Sequence, residues 1–287
     1  MEKREGTFET SGGLRLFVRS WLPDGAPKGV LAIAHGYAEH SGRYEYPGVW
    51  LAQRGYAVHA FDLRGHGQSE GERVFVRSFN EYLDDLDAFL ALVRDRHAGA
   101  TPWLMGHSMG GAVVALSAVT RQPDVRGLLF SGAVLAATDG TPRIVTEIIL
   151  LLGRVAPTLR LRKLAAADVS RDPEVAALYD ADPLNFRGKM PAGLIASIIR
   201  AGRVIDERME RIEKPLLIMH GTADALSNPI GSENLYRRAA STDKTLKLYE
   251  GFYHEILNEP ERDQVLEDIA GWLDARAVIP VESGVAS

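Results

Sequence analysis

The segment Gly106-His-Ser-Met-Gly-Gly111 is the part of this sequence best suited to chemistry, because it centres a serine in a Gly-x-Ser-x-Gly motif. An apolar run, Trp103–Met105, precedes the motif, and a run rich in small residues, Ala112–Ala118, follows it. Strand, sharp turn and helix in that order form a nucleophile elbow, in which a strained backbone lifts the hydroxyl clear of the sheet. The motif therefore predicts Ser108 as a nucleophile, although a Gly-rich turn with an incidental serine has the same pattern.

A serine hydroxyl becomes a good nucleophile when a general base takes its proton and an acidic residue holds that base in place. After a nucleophile elbow these partners follow along the chain, the acid first and the histidine second. Asp224 lies in the loop after one predicted strand, and His254 follows the last predicted strand. Ser108, Asp224 and His254 are therefore the predicted catalytic triad.

Three other downstream residues compete for the roles of base and acid. His220 ends a predicted strand, where a structural hydrogen bond is the expected role. Asp243 lies in the polar turn 241–244, which is typical of a solvated loop, and Glu250 is the other alternative acid. Position and chain order favour His254 and Asp224 over these three.

Attack of a serine on a carbonyl group also requires backbone N–H groups that stabilise the oxyanion. The residue after the nucleophile, Met109, supplies one donor, and the loop after an early strand supplies the other. That loop begins His35-Gly-Tyr37, and we therefore expect the Tyr37 amide to be the second donor. For the side chains of Met109 and Tyr37, the alternative is a place in the pocket wall or in the core.

A parallel sheet has to bring these residues together. Alternating apolar runs and helical patterns predict strands near 14–21, 29–34, 56–61, 103–105, 125–130, 216–219 and 245–249, and helices near 44–54, 80–97, 109–121, 230–240 and 261–276. The candidate residues follow strand ends, where the active sites of open α/β sheets lie. We expect an α/β fold with a mostly parallel central sheet and helices on both faces.

The region 138–213 interrupts this alternation. It shows helical apolar patterns and several prolines but no convincing strand, which predicts a helical cap inserted late in the sheet. The chain then divides into a first core part at 1–137, the cap, a second core part at 214–276 and a tail at 277–287. The apolar stretch 144–152 fits either a buried helix or a surface that contacts lipid aggregates or a membrane.

Composition narrows the class of protein. A net charge of −5 without clusters of lysine or arginine argues against a nucleic-acid partner. The lack of cysteine excludes disulfides and thiolate chemistry, and no grouping of His, Asp and Glu has metal-binding spacing. The charged N-terminus and the lack of a run of ~20 apolar residues predict a cytoplasmic protein without signal peptide or membrane span. The oligomeric state stays open.

A second glycine-rich stretch, Asp62–Ser69, invites comparison with phosphate-binding loops. It lacks Gly-Lys-Ser/Thr and does not match Gly-x-Gly-x-x-Gly. We interpret it as a tight loop near the rim of the active site, with His66 in a structural role.

Several motifs resemble those of the monoacylglycerol lipase family of α/β-hydrolases, in order and at compatible spacing. They are His35-Gly-Tyr-Ala-Glu-His-Ser-Gly-Arg-Tyr44, Asp62-Leu-Arg-Gly-His-Gly-Gln-Ser69, Gly106-His-Ser-Met-Gly-Gly111, Tyr179-Asp-Ala-Asp-Pro-Leu184 and Lys244-Thr-Leu-Lys-Leu-Tyr-Glu-Gly251. Segments 170–175 and 253–262 resemble bacterial members in particular. The resemblance covers nearly the whole chain except its ends.

This resemblance implies a serine hydrolase that cleaves monoacylglycerols to fatty acid and glycerol without a cofactor. It implies the same triad and the same oxyanion amides, and it makes the cap the wall of an acyl-binding tunnel. It also places Glu39, Arg43 and Tyr179 near the polar glycerol end; the alternatives are an exposed ion pair and an aromatic residue packed in the cap. Tyr37 departs from many relatives, which have a small residue or Phe there, and this leaves the chain-length preference open.

Alternative hypotheses use the same scaffold. A broader carboxylesterase, a lysophospholipase or a thioesterase needs the same triad, and the cap and pocket distinguish them. A peptidase is disfavoured, because no acidic anchor for a substrate amine stands out. Dehalogenases and epoxide hydrolases need an Asp where this chain has Ser108, and a non-catalytic binding protein would be expected to lack a member of the triad.

Overall fold

The computed structural model describes residues 1–135 and 141–277. The strands in these ranges are β1 Glu2–Glu9, β2 Arg15–Leu22, β3 Gly29–Ala34, β4 Tyr56–Phe61, β5 Trp103–His107, β6 Leu128–Ser131, β7 Arg160–Lys163, β8 Lys189–Pro191, β9 Leu216–Gly221 and β10 Lys244–Tyr249. The α-helices are α1 Glu45–Gln53, α2 Asn80–Arg96, α3 Met109–Thr120, α4 Arg143–Val155, α5 Pro173–Ala181, α6 Ala192–Arg208, α7 Ile230–Arg238 and α8 Arg262–Asp274. None of these helices combines the length and apolar character that a membrane span requires.

Eight strands form one sheet in the order β1-β2-β4-β3-β5-β6-β9-β10. The pairs β1–β2 and β2–β4 are antiparallel, and all other neighbours in this sheet are parallel. Parallel neighbours require crossover connections, which the helices supply. The prediction of an α/β fold with a mostly parallel sheet is confirmed. The loops that follow β3, β5, β9 and β10 therefore meet at one edge of the sheet.

The side chains of each central strand alternate between two buried layers. In β3, Ala32 and Ala34 belong to a cluster that includes side chains of α2 and α3. Leu31 and Ile33 point to the opposite face and belong to a cluster with side chains of α1 and α8. Helices thus cover both faces, which explains why the central strands read as continuous apolar runs rather than as an alternation.

The sequence predicts β3 and β4 with the bounds that the structure has, but it predicts no strand at β1. The residues of β1 are mostly exposed and many are charged, so that no apolar run marks them. Their strand conformation comes from the ladder with β2, in which Glu2 pairs with Leu22 and Glu9 with Arg15. This edge strand is therefore a product of pairing rather than of local sequence.

The segment between β6 and β9 carries α4, α5 and α6, and it also contains the two-stranded antiparallel sheet of β7 and β8. The expectation of no strand in this region is therefore wrong. Both strands are short, and β7 is too polar for an apolar pattern to reveal it. α4 packs on α6, and α6 packs on α3 of the core. The predicted cap boundary at 137–138, and the tail beyond Ala277, lie outside the described residues.

Candidate active site

Ser108 stands at the turn between β5 and α3. Its backbone adopts φ 51° and ψ −119°, a conformation that residues with a side chain rarely adopt. The close approach of strand and helix imposes it. A Cβ atom on Gly106 would lie 2.6 Å from the carbonyl oxygen of Gly110, and one on Gly110 would lie 2.2 Å from that of Ala34. The two glycines are therefore required for the elbow geometry that the sequence predicts.

Asp224 and His254 lie in the neighbouring loops after β9 and β10. Oδ2 of Asp224 is 2.7 Å from Nδ1 of His254. Oδ1 of the same carboxylate accepts hydrogen bonds from the backbone N–H groups of Leu226 and Ser227, at 2.8 and 2.9 Å. The carboxylate is thus fixed by its own loop. It orients the imidazole so that Nε2 is left for a proton from another group.

Electrostatics reinforces this pairing. Burial acts to raise the pKa of Asp224, but the charge of His254 and hydrogen bonds from both His220 and His254 hold that pKa well below its usual range. Burial acts to lower the pKa of His254, yet the charge of Asp224 and its hydrogen bond raise it above the ordinary value. The pair therefore favours an ionised acid next to an imidazole with increased basicity.

Two further residues surround this carboxylate. His220 places Nε2 3.1 Å from Oδ2 of Asp224 and Nδ1 2.7 Å from Oγ of Ser232, which agrees with the structural role expected for it. Oγ of Ser227 lies 2.8 Å from the same Oδ2. Ser227 is not among the predicted residues, although a serine three residues after an Asp can reach the carboxylate with both its backbone N–H and its hydroxyl.

Ser108 and His254 both line a cavity of about 290 Å³. The inserted segment 138–213 supplies ten of the other fourteen described lining residues, and seven of these have large apolar side chains: Ile149, Leu161, Leu164, Met190, Ile195, Ile198 and Ile199. Among the described lining residues Arg162 is cationic, and none carries a carboxylate. A mostly apolar cavity that contains a hydroxyl and an imidazole suits the acyl part of an ester.

The two residues predicted to supply oxyanion amides line the same cavity. Met109 is the first residue of α3, where backbone N–H groups have no acceptor within the helix. The buried ring of Tyr37 packs edge-on to His66 and Phe186, with ring centroids 6.1 and 6.3 Å apart. Burial raises the pKa of the Tyr37 hydroxyl, and this hydroxyl has no hydrogen-bond partner in the part of the chain that the structure describes.

The residues predicted near a glycerol group, Glu39, Arg43 and Tyr179, lie outside the described wall of this cavity. Arg43 contacts both Glu39 and Glu255, and its guanidinium carbon lies 4.8 Å from the ring centroid of Tyr179. The ion pair is buried, so the alternative of an exposed pair is wrong. Glu255 is not among the predicted residues, although its position directly after the predicted base His254 could have indicated a place near the site.

The remaining alternatives have other roles. Asp243 accepts a hydrogen bond from Nε of Arg276 at 2.8 Å, and Glu250 is exposed. Nδ1 of His66 lies 3.0 Å from the carbonyl oxygen of Arg64. Over residues 1–135 and 141–277, no group of three or more His, Cys, Asp or Glu could hold a metal ion.

One face of α4 is apolar and exposed. Its members recur at helical spacing and are exposed to between 41% and 68%: Ile144, Val145, Ile148, Leu151 and Val155. Thr146 is buried, and Ile149 lines the cavity. The alternative of a wholly buried helix is therefore wrong.

Comparisons with known proteins cover both the sheet and the inserted segment. A family model described as serine aminopeptidase, S33 (Hydrolase_4) matches residues 25–261. The chain is 38% identical over 271 residues to the monoacylglycerol lipase of Mycolicibacterium smegmatis, covering 94% of this chain and 97% of that protein. It is 34% identical over 267 residues to the monoglyceride lipase of Homo sapiens, covering 92% and 88%. The crystal structure of Paleococcus ferrophilus monoacylglycerol lipase matches with a TM-score of 0.80 at 32% identity, over 96% of this chain and 100% of that one.

Proposed function

We propose that this chain, which belongs to the family described as serine aminopeptidase, S33, is a serine hydrolase that cleaves monoacylglycerols to free fatty acid and glycerol. The observation that carries this proposal is the position of Ser108 and His254 on one mostly apolar cavity, with Asp224 2.7 Å behind the imidazole. The names of the bacterial and human relatives, at 38% and 34% identity, support the substrate class.

In the first half of the proposed reaction, Oγ of Ser108 attacks the ester carbonyl carbon while Nε2 of His254 takes the hydroxyl proton. The carbonyl electrons move to oxygen, and the amides of Tyr37 and Met109 donate hydrogen bonds to the resulting oxyanion. The tetrahedral intermediate then collapses. His254 returns its proton to the departing oxygen, which leaves as a hydroxyl of glycerol, and the acyl group stays on Ser108.

In the second half, a water molecule attacks the acyl-enzyme carbonyl and gives its proton to His254. Collapse of the second intermediate breaks the bond to Ser108, which regains the proton, and releases the fatty acid. Asp224 holds Nδ1 and stabilises the imidazolium in both halves. Each step uses side chains, backbone amides, substrate and water, and no cofactor is required.

The composition of the cavity favours an ester of a fatty acid over a peptide. An aminopeptidase has to bind the free amino group of its substrate, and a buried ammonium group requires an anionic partner. No residue described in the cavity wall supplies a carboxylate, whereas seven of the described lining residues are leucine or isoleucine. An acyl chain would make favourable contacts there.

We assign the region 138–213 as the cap of this enzyme. α4 and α6 contribute Ile149, Ile195 and Ile198 to the cavity, so this segment forms the wall that an acyl chain would contact. On the outer side of α4, the exposed apolar face would lie on a lipid aggregate or membrane surface and collect monoacylglycerol from it.

Substrate profiling of the purified protein tests the proposal. Monoolein, diolein, lysophosphatidylcholine and short-chain nitrophenyl esters should be compared by kcat/KM, and we expect monoolein to be preferred. Ser108→Ala should abolish hydrolysis of every substrate and labelling by a fluorophosphonate probe, while circular dichroism stays that of the folded protein. Preference for lysophosphatidylcholine or for short esters would replace the monoacylglycerol assignment by a lysophospholipase or a broader carboxylesterase. Turnover that survives in Ser108→Ala would refute the triad.

A further inference from the structure

Glu39 lies directly behind the loop that carries the proposed oxyanion amide. Its Oε1 accepts the backbone N–H of Gly36 at 2.5 Å and the hydroxyl of Tyr44 at 3.1 Å. A Cβ atom on Gly36 would lie 2.9 Å from this oxygen and 2.9 Å from Cβ of Ser108. The carboxylate therefore holds the peptide between His35 and Gly36, one peptide before the one that carries the Tyr37 amide, and does so close to the nucleophile.

Glu255 occupies the corresponding place behind the proposed general base. It follows His254 in the chain, and its backbone N–H donates to the carbonyl oxygen of Val169 at 2.7 Å. Its carboxylate is 6% exposed, accepts a hydrogen bond from Nδ2 of Asn258 at 2.9 Å and pairs with Nη2 of Arg43. The backbone that carries the imidazole is thus anchored through a buried acid.

Arg43 connects these two acids. Nη2 pairs with Glu255, and Nε lies 3.4 Å from Oε2 of Glu39, an ion-pair contact without hydrogen-bond geometry. The ring of Tyr179 covers the guanidinium at 4.8 Å. The Arg43 side chain is 10% exposed. A planar cation with several fixed donors can join two carboxylates in one geometry, which a lysine does less well.

This cluster has no room for a substrate. The space enclosed by Glu39, Arg43, Tyr44, His107 and Glu255, together with Leu257 and Asn258, amounts to about 10 Å³. A cavity of that size holds at most one water molecule. The carboxylates of Glu39 and Glu255 are already paired with groups of the protein, and a glycerol group would have to break buried ion pairs to enter.

We propose that Glu39, Arg43 and Glu255 form a positioning bridge, in which Arg43 fixes the loop bearing the Tyr37 amide relative to the segment bearing His254. This inference rests on the proposed function and assigns these residues to geometry rather than to binding of glycerol. The bridge keeps the oxyanion donor and the general base at one separation, which acyl transfer needs in both halves of the reaction.

The charges of the bridge agree with this role. Burial and the neighbouring Glu255 raise the pKa of Glu39 to about 7, whereas the charge of Arg43 is among the causes that hold the pKa of Glu255 below its ordinary value. His107, whose ring centroid lies 4.9 Å from that of His254, also faces the cluster. The stronger of the two ion pairs is therefore the one between Arg43 and Glu255, next to His254. The hydrogen bond from the Gly36 N–H to Glu39 persists whether or not Glu39 is ionised.

Two esters with the same acyl chain and different alcohols separate positioning from glycerol binding. The variants Arg43→Lys, Glu39→Gln and Glu255→Gln should be compared with wild type on 1-monolauroylglycerol and on methyl laurate. We expect kcat of Arg43→Lys to fall about 10- to 100-fold, by the same factor on both esters, with KM changed less than about twofold. The two Gln variants, which keep side-chain volume and an acceptor oxygen, should show smaller losses in kcat with the same lack of discrimination between esters.

The matched control is Arg64→Lys. Arg64 is also a buried arginine between two acids, with Nε 2.6 Å from Asp85 and Nη1 2.6 Å from Glu81, and its side chain is 12% exposed. Its replacement should lower the thermal midpoint and leave kcat unchanged. Should Arg43→Lys fail to fold, the two Gln variants decide the question by the same comparison.

The outcomes are distinguishable. A higher KM for monolauroylglycerol alone, or an unchanged kcat in folded variants, would overturn the bridge and, in the first case, restore glycerol binding. If wild-type protein hydrolyses neither ester, or Ser108→Ala hydrolyses both, the proposed function itself fails. Equal losses of kcat on both esters, with an active wild type and an inactive Ser108→Ala, support the bridge.

Discussion

Nδ1 of His254 lies 2.7 Å from Oδ2 of Asp224, and the other oxygen of that carboxylate is bound by two backbone N–H groups of its own loop. The acid therefore cannot rotate without losing hydrogen bonds on both sides. Since β9 and β10 are adjacent parallel strands, the loops that carry the two residues start side by side. Sheet topology brings together two residues that are 30 positions apart in the chain.

The Asp224→Asn variant should lose about 10⁴-fold in kcat on monoacylglycerol, the loss found for the corresponding change in a well-studied serine protease. An amide in this place favours the wrong tautomer of His254 and no longer stabilises its cation. Asp243→Asn is the control, because Asp243 was an alternative acid and pairs with Arg276 instead. It should retain kcat within about twofold, and steady-state kinetics with both variants decides between the two acids.

Stability should fall as the pH decreases from 7 to 5. Burial is the main cause that lowers the pKa of four histidines to about 3: His35, His59, His66 and His107. Between the unfolded value of 6.5 and about 3, the unfolded chain binds more protons at these sites, and stability therefore rises with pH. The raised pKa values of His254 and Glu39 act in the opposite direction.

The four histidines outnumber the opposing groups. We therefore expect the free energy of unfolding to fall by about 2 kcal/mol for each pH unit between pH 7 and 5. Urea unfolding monitored by circular dichroism at pH 5, 6, 7 and 8 measures it. The difference between pH 7 and 8 is the internal control and should be much smaller, since these histidines are neutral in the folded protein and mostly neutral in the unfolded chain there. Equal stability at pH 5 and 7 would contradict the assignment of buried neutral imidazoles.

Tyr37→Phe should stabilise the protein by about 1 kcal/mol, because it removes a buried hydroxyl that has no partner among the described residues. Activity on long-chain monoacylglycerols should persist, because the proposed donor is the backbone amide, which the substitution keeps. Tyr249→Phe is the matched control: its hydroxyl donates to Asp268 at 2.9 Å, and its removal should destabilise. Thermal unfolding together with kcat on monolauroylglycerol tests both variants. A large loss of kcat in Tyr37→Phe would instead assign its hydroxyl to the reaction.

The double variant Ile148→Ser, Leu151→Ser should lose about tenfold or more in hydrolysis of monoolein presented in phospholipid vesicles, since both side chains belong to the exposed face of α4. Hydrolysis of a water-soluble short-chain ester should be unchanged. Leu248→Ser, an exposed leucine on β10, is the control and should alter neither rate. Vesicle co-sedimentation gives the binding directly. Equal vesicle activity in wild type and double variant would exclude this face as the lipid contact.

The sequence by itself determined the architecture and the order of the candidate residues. Central strands such as β3 and β4 are buried on both faces and therefore appear in the sequence as apolar runs. The turn at 106–111 requires glycines, which can be read directly from the sequence. Chain order then singled out Asp224 and His254, because adjacent parallel strands place their following loops next to each other.

Other features were decided only by tertiary structure. β1 and β7 are strands because a partner strand lies beside them, and their polar residues show no sign of it. Arg43, Glu39 and Glu255 look like solvated charges in the sequence, whereas the fold buries them together behind the proposed site. Whether the apolar face of α4 points inward or outward depended on how α4 packs on α6, since hydrophobic periodicity describes a face but not its environment.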